Sequence, residues 1–299
     1  MFLVGDMIRK HIILPLLVLM LACSCSGTNA GNNSARPTND TDMTTQTTAP
    51  DTATAKVRFT TNLGSFTVLL YGDTPKHRDN FLRLAREHYY DGTLFHRVIK
   101  NFMVQAGDPD SRNAAPGAHL GAGGPDYKID AEIVFPTHFH KRYALAAARQ
   151  GDQVNPRRQS SGSQFYVVTG NRLSEPEIAQ YEQHMRNSHM QKAFNQLALE
   201  QRDNIIAMQR AGDRQGLQAL QDTLISRAQA IADEQPVQMS AEMREAYTTV
   251  GGAPHLDGDY TVFGEVIDGT DTIDRIEAVT TGAADRPRED VRIISTEVL

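Results

Sequence analysis

Residues 95–108 read FHRVIKNFMVQAGD. Two apolar, strand-like runs, Val98-Ile99 and Phe102-Met103-Val104, flank only Lys100 and Asn101, a polar pair suited to a tight turn. Arg97 is the one obligatory charge within the apolar part, Gln105 follows Val104, and Gly107-Asp108 closes the segment as a turn. The residues alone leave two readings open. An arginine beside Phe, Met and Gln suits a half-apolar cleft that also donates hydrogen bonds. It equally suits a barrel strand that ends in a snorkelling arginine.

The flanking sequence adds strands and one helix. Val57 to Thr60 and Phe66 to Leu70 alternate around Asn62-Leu63-Gly64, a hairpin by pattern and turn chemistry. Thr74-Pro75 starts a helix over 75–89, with Phe81, Leu84, Ala85 and His88 on one face. Asp91-Gly92 ends it. Residues 110–128 are rich in Gly, Ala and Pro; they read as loop, and their glycines do not match a dinucleotide-binding pattern. Near the end, Ile273 to Ile276 reads as a short helix and Val291 to Ile294 as a final strand.

Between these parts the periodicity changes. From Glu175 to Arg210 there is no Gly, and Pro176 sits where a first-turn proline belongs. Ile178, Tyr181, Met185, Met190, Phe194, Leu197, Ile205 and Met208 form a rough helical stripe. One helix of that length reaches on the order of 50 Å. Ala211-Gly212-Asp213 breaks it. Leu217, Leu220, Leu224, Ala228 and Ile231 then repeat at three and four, up to Pro236, and Ser240 caps a third, short helix to about Tyr247. Two antiparallel helices make an arm with a buried seam. Its methionines read as seam filler or, alternatively, as a surface for clients.

The chain has 299 residues and a net charge of −6, which argues against a general nucleic-acid binder. Its two cysteines, Cys23 and Cys25, lie near the start, so the body holds no disulfide framework and no Cys-based zinc site. His138 and His140 are two apart, and His184 and His189 five apart; neither is the four-residue spacing that pairs ligands on a helix. No metal or other cofactor is expected. Residues 1–25 read as a signal segment: Arg9-Lys10-His11 is basic, Ile12 to Ala22 is apolar, and Met7 is an alternative start. The apolar run is shorter than the roughly 20 residues of a spanning helix. Leu19-Met20-Leu21-Ala22-Cys23 resembles a bacterial lipobox, which implies lipidation at Cys23. Residues 26–55 are polar and read as a disordered tether. These features lead to the expectation of a lipoprotein of the bacterial cell envelope, facing the periplasm and held on the membrane by its lipid.

FHRVIKNFMVQAGD resembles the signature of cyclophilin-type peptidyl-prolyl isomerases, F-H-R-x-I-x-x-F-M-x-Q-x-G-D, almost position for position. Three further stretches resemble the same family. Tyr143 to Arg149 is similar to its G-x-L-A-M-A strand, with Ala147 in place of Met. Ser163-Gln164-Phe165-Tyr166 is similar to its S-Q-F-F/Y. Leu256-Asp257-Gly258, with Val262-Phe263-Gly264, is similar to its L-D-G-x-x-x-V-F-G. The Gly121-Ala122-Gly123-Gly124-Pro125 run also resembles a family loop. The resemblance covers 56–170 and 249–299 and is silent on 171–248. It implies a mainly β fold, a closed antiparallel barrel flanked by two helices, here with an inserted α-helical hairpin.

The resemblance also implies a site. Arg97, Gln105 and Phe102 would be catalytic. His96, Met103, Ala148, Arg149, Gln164, Phe165, His255, Leu256 and Tyr260 would bind substrate. Phe102, Met103, Phe165, Leu256 and Tyr260 would hold the proline ring. Gln105 and the backbone at Ala148 and Arg149 would hold the preceding carbonyl, so that the side chain at 149 is free to vary. Gln164 and Phe165 would lie across the cleft from Arg97. His255 stands where cyclosporin-sensitive members carry Trp, and Tyr260 where many carry His. The expected partners are proline-containing polypeptides, including unfolded or newly exported proteins, with no nucleic acid. The alternative expectation is a binding module that grips proline segments while the helical arm holds unfolded clients.

Overall fold

Strands β1 (Ala55–Thr61) and β2 (Gly64–Leu70) form the first hairpin. Val57, Phe59, Phe66, Val68 and Leu70 all point inward and are fully buried. The Phe59 and Phe66 rings, cross-strand partners, stack at 5.0 Å. In this computed structural model residues 53–234 and 238–299 are described; the expected signal segment with Cys23, most of the tether, and Pro236 lie outside them. Among the described residues no helix is long and apolar enough to cross a membrane.

Helix α1 (Pro75–Arg86) is shorter than the sequence pattern suggested. Tyr89 N–H reaches back to the Leu84 carbonyl at 2.9 Å, and His88 takes φ 55°. This is a left-handed helix end made by a residue other than Gly. His88 is therefore exposed, while Phe81, Leu84 and Ala85 are buried against the sheet.

The remaining strands are β3 (Arg97–Ile99), β4 (Met103–Ala106), β5 (Lys128–Ile129), β6 (Ala144–Ala147), β7 (Ser160–Ser161), β8 (Phe165–Val168), β9 (Val262–Asp268) and β10 (Ile293–Val298). Six of these join β1 and β2 in one antiparallel sheet in the order β10-β1-β2-β9-β6-β8-β4-β3; β5 and β7 pair separately. The sheet curls strongly into a half-barrel around an aromatic core of Phe59, Phe66, Phe81, Tyr90, Phe95, Phe165 and Phe263. The edge strands β3 and β10 are not neighbours in the ladder. Residues 92–95, ahead of β3, bond to residues 291–293 at the start of β10: Gly92 N–H to Ile293 O, Ile293 N–H to Thr93 O, and Phe95 N–H to Val291 O, at 2.8–2.9 Å. Helix α1 packs on β10 and β1.

The stretch expected as one helix over 175–210 bends at Gln201. It is α2 (Glu175–Glu200) followed by α3 (Arg202–Ala211), and both pack on α4 (Arg214–Glu234). Gly212, at φ 68°, ends α3. Ile178, Met190, Phe194, Leu197, Ile205, Leu224 and Ala228 are buried. Met190, Met239 and Met243 are buried, and Met185 and Met208 are half-buried, so these methionines fill seams. Helix α5 (Ala241–Thr249) starts at Ser240, whose hydroxyl accepts from Met243 N–H at 3.1 Å. Helix α6 (Thr270–Glu277) covers β2, β3 and β4.

Candidate active site

Strand register decides which side chains can meet. Directly opposed residues of an antiparallel pair share a face, and the face alternates along each strand. Arg97 opposes Gln105, Gln105 opposes Tyr166, Tyr166 opposes Ala146, and Ala146 opposes Val262. Ile99, Met103 and Val168 form the next row on that face. The outer face of the sheet therefore carries Arg97, Gln105, Met103 and Tyr166 together. Adjacent strands lie about 4.8 Å apart, so Arg97 and Tyr166 are separated by roughly 10 Å.

The other face holds Val98, Val104, Val167 and Leu145 in one row and Ala106, Phe165 and Ala147 in the next. Phe165 is thus not in the cleft. Its ring is 1% exposed, 5.3 Å from Phe81, 5.5 Å from Tyr90 and 5.7 Å from Phe59. The residue that sequence reading missed is its neighbour Tyr166, which packs with Met103, Ala146, Val262, Phe102, Ala148, Leu256 and Tyr260 in one apolar patch.

The patch has a hard floor and a softer rim. Met103 and Tyr166 are buried; Phe102, Leu256 and Tyr260 are half-buried. The Tyr166 and Tyr260 rings meet edge to face at 6.1 Å. His255 is exposed, and its ring lies 5.1 Å from Phe102 at the rim.

Arg149 does more than the sequence suggested. Its guanidinium carbon lies 4.4 Å from the centre of the Tyr260 ring, its Nε donates to Asp259 O at 2.9 Å, and it pairs with Asp152. The side chain is 5% exposed, so it braces the pocket wall and is not free to vary. Ala148, expected to offer its backbone to the peptide, does not. Its N–H donates to Gln164 O, and its carbonyl accepts from Ser161 N–H, so its backbone is committed within the protein. Among the described residues the backbone N–H and C=O of Arg149 have no such partner.

Arg97 is 43% exposed. Its Nε contacts Asp285 Oδ2 at 3.3 Å, and its two terminal nitrogens donate to nothing else among the described residues. Asp285 belongs to a turn in which Ala284 and Asp285 both have positive φ, 55° and 59°. This turn and residues 116–121 enclose, with His96, Arg97 and Gln105, a groove of about 800 Å³. One Gln105 amide hydrogen goes to Gln164 Oε1 at 2.9 Å. Gln164 in turn donates to Gly121 O and Gly123 O at 3.1 and 2.7 Å. Gln164 thus ties the cleft to the glycine-rich loop.

The close of the signature is structural. Gly107 has φ 88°, and a Cβ there would lie 2.2 Å from Ser163 O. The buried Asp108 carboxylate accepts from Asp110 N–H and Gly121 N–H, anchoring the same loop. His96 is buried against this loop, and neither ring nitrogen has a partner among the described residues. Burial lowers its pKa against the opposing charge of Asp108, so the ring is neutral near pH 7. Among the described residues no group of three or more His, Cys, Asp or Glu is placed to hold a metal ion.

A protein-family model described as "Cyclophilin type peptidyl-prolyl cis-trans isomerase/CLD" matches residues 56–229 and 181–298. A putative bifunctional phosphatase/peptidyl-prolyl cis-trans isomerase of Streptococcus pyogenes is 34% identical over 81% of this chain. The match spans only 38% of that longer protein. A putative peptidyl-prolyl cis-trans isomerase of Staphylococcus aureus is 30% identical over 81% of this chain and 91% of its own length. A crystal structure of a Cryptosporidium parvum cyclophilin type peptidyl-prolyl cis-trans isomerase aligns with a TM-score of 0.47 at 20% identity, covering 83% of this chain and 98% of that one.

Proposed function

The chain belongs to the cyclophilin type peptidyl-prolyl cis-trans isomerase family, and from that premise we propose that it accelerates rotation about X-Pro bonds in polypeptides. The peptide barrier is about 18–20 kcal/mol, while the two X-Pro isomers differ by only about 0.5–1 kcal/mol. No bond is made or broken, so the task is to favour the twisted amide over both planar forms. Twisting returns a lone pair to the proline nitrogen. An unspent guanidinium N–H beside it gains a hydrogen bond that neither planar state offers.

The observation that carries this reading is Arg97, anchored through Nε to Asp285 with both terminal nitrogens unspent among the described residues, on the same sheet face as an apolar patch. Phe102, Met103, Tyr166, Leu256 and Tyr260 grip the pyrrolidine ring. The free backbone N–H and C=O of Arg149 hold the preceding residue in strand-like fashion. The remaining N–H of Gln105 steadies its carbonyl, and His96 borders the groove that takes the flanking chain. A permanently charged, planar donor suits Arg97 better than Lys would.

The finer architecture that goes with this reading is a barrel closed through 92–95 and 291–293, formed by 56–170 and 249–299, with 171–248 as an inserted helical hairpin. Export and lipidation at Cys23 complete it, which would place the domain in the bacterial envelope on proline-containing exported proteins. Labelled fatty acid should enter the wild type and not Cys23→Ser. Among the described residues the exposed faces of the arm are, Leu199 apart, mainly Gln, Arg, Glu and Asp, which suits solvent better than a separate holding function for unfolded chains. A protease-coupled assay on a proline tetrapeptide tests the activity. A rate equal to the uncatalysed one would remove the proposal.

A further inference from the structure

A buried polar chain joins the helical insertion to the pocket. Tyr247, on α5, is fully buried, and its hydroxyl donates to Asp257 Oδ2 at 2.6 Å. Asp257 Oδ1 accepts from His140 N–H at 2.8 Å and from His140 Nδ1 at 2.9 Å. A carboxylate only accepts, so Nδ1 carries the proton, and Nε2 hydrogen-bonds with the Tyr166 hydroxyl at 3.0 Å. The His140 and Asp257 side chains are 1% and 0% exposed. The relay ends on the pocket floor at Tyr166. At Asp257 it touches the wall, directly after His255 and Leu256.

The foot of the insertion is closely built around this chain. Leu173 N–H donates to Tyr247 O at 2.9 Å, joining the segment that enters the arm to the helix that leaves it. The Phe139 ring meets Tyr247 at 5.5 Å, within a cluster that includes Ile178, Met239 and Met243. A Cβ on Gly252 would lie 2.5 Å from the Tyr247 ring and 2.3 Å from His140 O, so the backbone has no slack there.

We propose that Tyr247 is a positioning residue for the isomerase site: the insertion sets the placement of Tyr166 and Leu256 through Asp257 and His140. The proposal rests on the isomerase reading of the pocket. Losing the Tyr247 hydroxyl leaves a buried carboxylate one donor short, and the relay must rearrange around His140. The grip on the proline ring weakens in the planar and twisted states alike, which raises KM and spares kcat.

The test compares full-length wild type, Tyr247→Phe and Met243→Ala. Met243→Ala opens a cavity in the same foot without removing any hydrogen bond of the relay, so it lowers Tm. Tyr247→Phe should raise KM on the order of tenfold, the scale of a charge-assisted hydrogen bond partly transmitted. Met243→Ala, assayed well below its melting point, should leave KM unchanged. In NMR with ring-labelled tyrosine, Tyr247→Phe should shift the Tyr166 and Tyr260 resonances, and adding a proline tetrapeptide to wild type should shift Tyr247. Wild-type KM in Tyr247→Phe, or the same KM rise in both variants, overturns the proposal. A wild type that turns nothing over would remove the isomerase reading instead. The NMR comparison then decides the coupling alone, and unmoved Tyr166 and Tyr260 resonances overturn it.

Discussion

Replacing Phe165 with Ala distinguishes a core role from a cleft role for the β8 aromatic. The ring is 1% exposed and lies within 6.5 Å, centre to centre, of Phe59, Phe81, Tyr90 and Phe95. Truncating a buried Phe in such packing costs about 3–5 kcal/mol. A domain's whole stability is about 5–15 kcal/mol, so the loss is a large fraction of it. At about 2–4 °C per kcal/mol for a domain of this size, the melting temperature should fall by roughly 6–20 °C. Urea unfolding should show a lower midpoint at an unchanged slope. Isomerase turnover, measured cold while the variant is still folded, should stay within a few fold of wild type. A variant that melts like wild type but has lost turnover would refute the face assignment and return the ring to the cleft.

Two further outcomes follow from the same geometry. Gly107→Ala forces a Cβ to within 2.2 Å of Ser163 O at φ 88°, so it should destabilise by more than the 1–2 kcal/mol left-handed penalty alone; denaturant titration reads this. His96 has its folded pKa lowered by burial, so below its ordinary value the unfolded chain binds a proton that the folded chain refuses. Stability should therefore fall as pH drops from about 6.5 toward the lowered value. His96→Phe should flatten that part of the pH–stability curve, and an unchanged slope would remove His96 as its source.

Much of the site was legible because it is local. The FHRVIKNFMVQAGD hairpin places Arg97, Met103 and Gln105 by its own alternation, and the β3–β4 register follows from the Lys100-Asn101 turn. The misplacement of Phe165 also has a plain cause. Phe165, Tyr166, Val167 and Val168 are all buried, so strand β8 shows no polar alternation that tells its two faces apart. Only pairing with β4, where Ala106 opposes Phe165 and Gln105 opposes Tyr166, resolves it. Long-range partners left no trace in the sequence: Asp285 reaches Arg97 from 188 residues away, and Arg149 earns its place through a ring at position 260. Asp257 could be read as part of an L-D-G motif, but its bond to Tyr247 depends on helix α5. The bend at Gln201 carries no Gly or Pro, so the helical stripe ran through it unbroken.

We propose that Arg97 stabilises the twisted imide rather than merely binding the peptide. The decisive measurement is kcat/KM for wild type and Arg97→Ala, taken beside the affinity of each for the same proline tetrapeptide. Losing one preorganised donor typically costs about a hundred- to a thousandfold in rate. The expected result is a fall of that order in kcat/KM with peptide affinity changed only a few fold. Equal rates in the two proteins, or a rate loss matched by an equal loss of affinity, would contradict it.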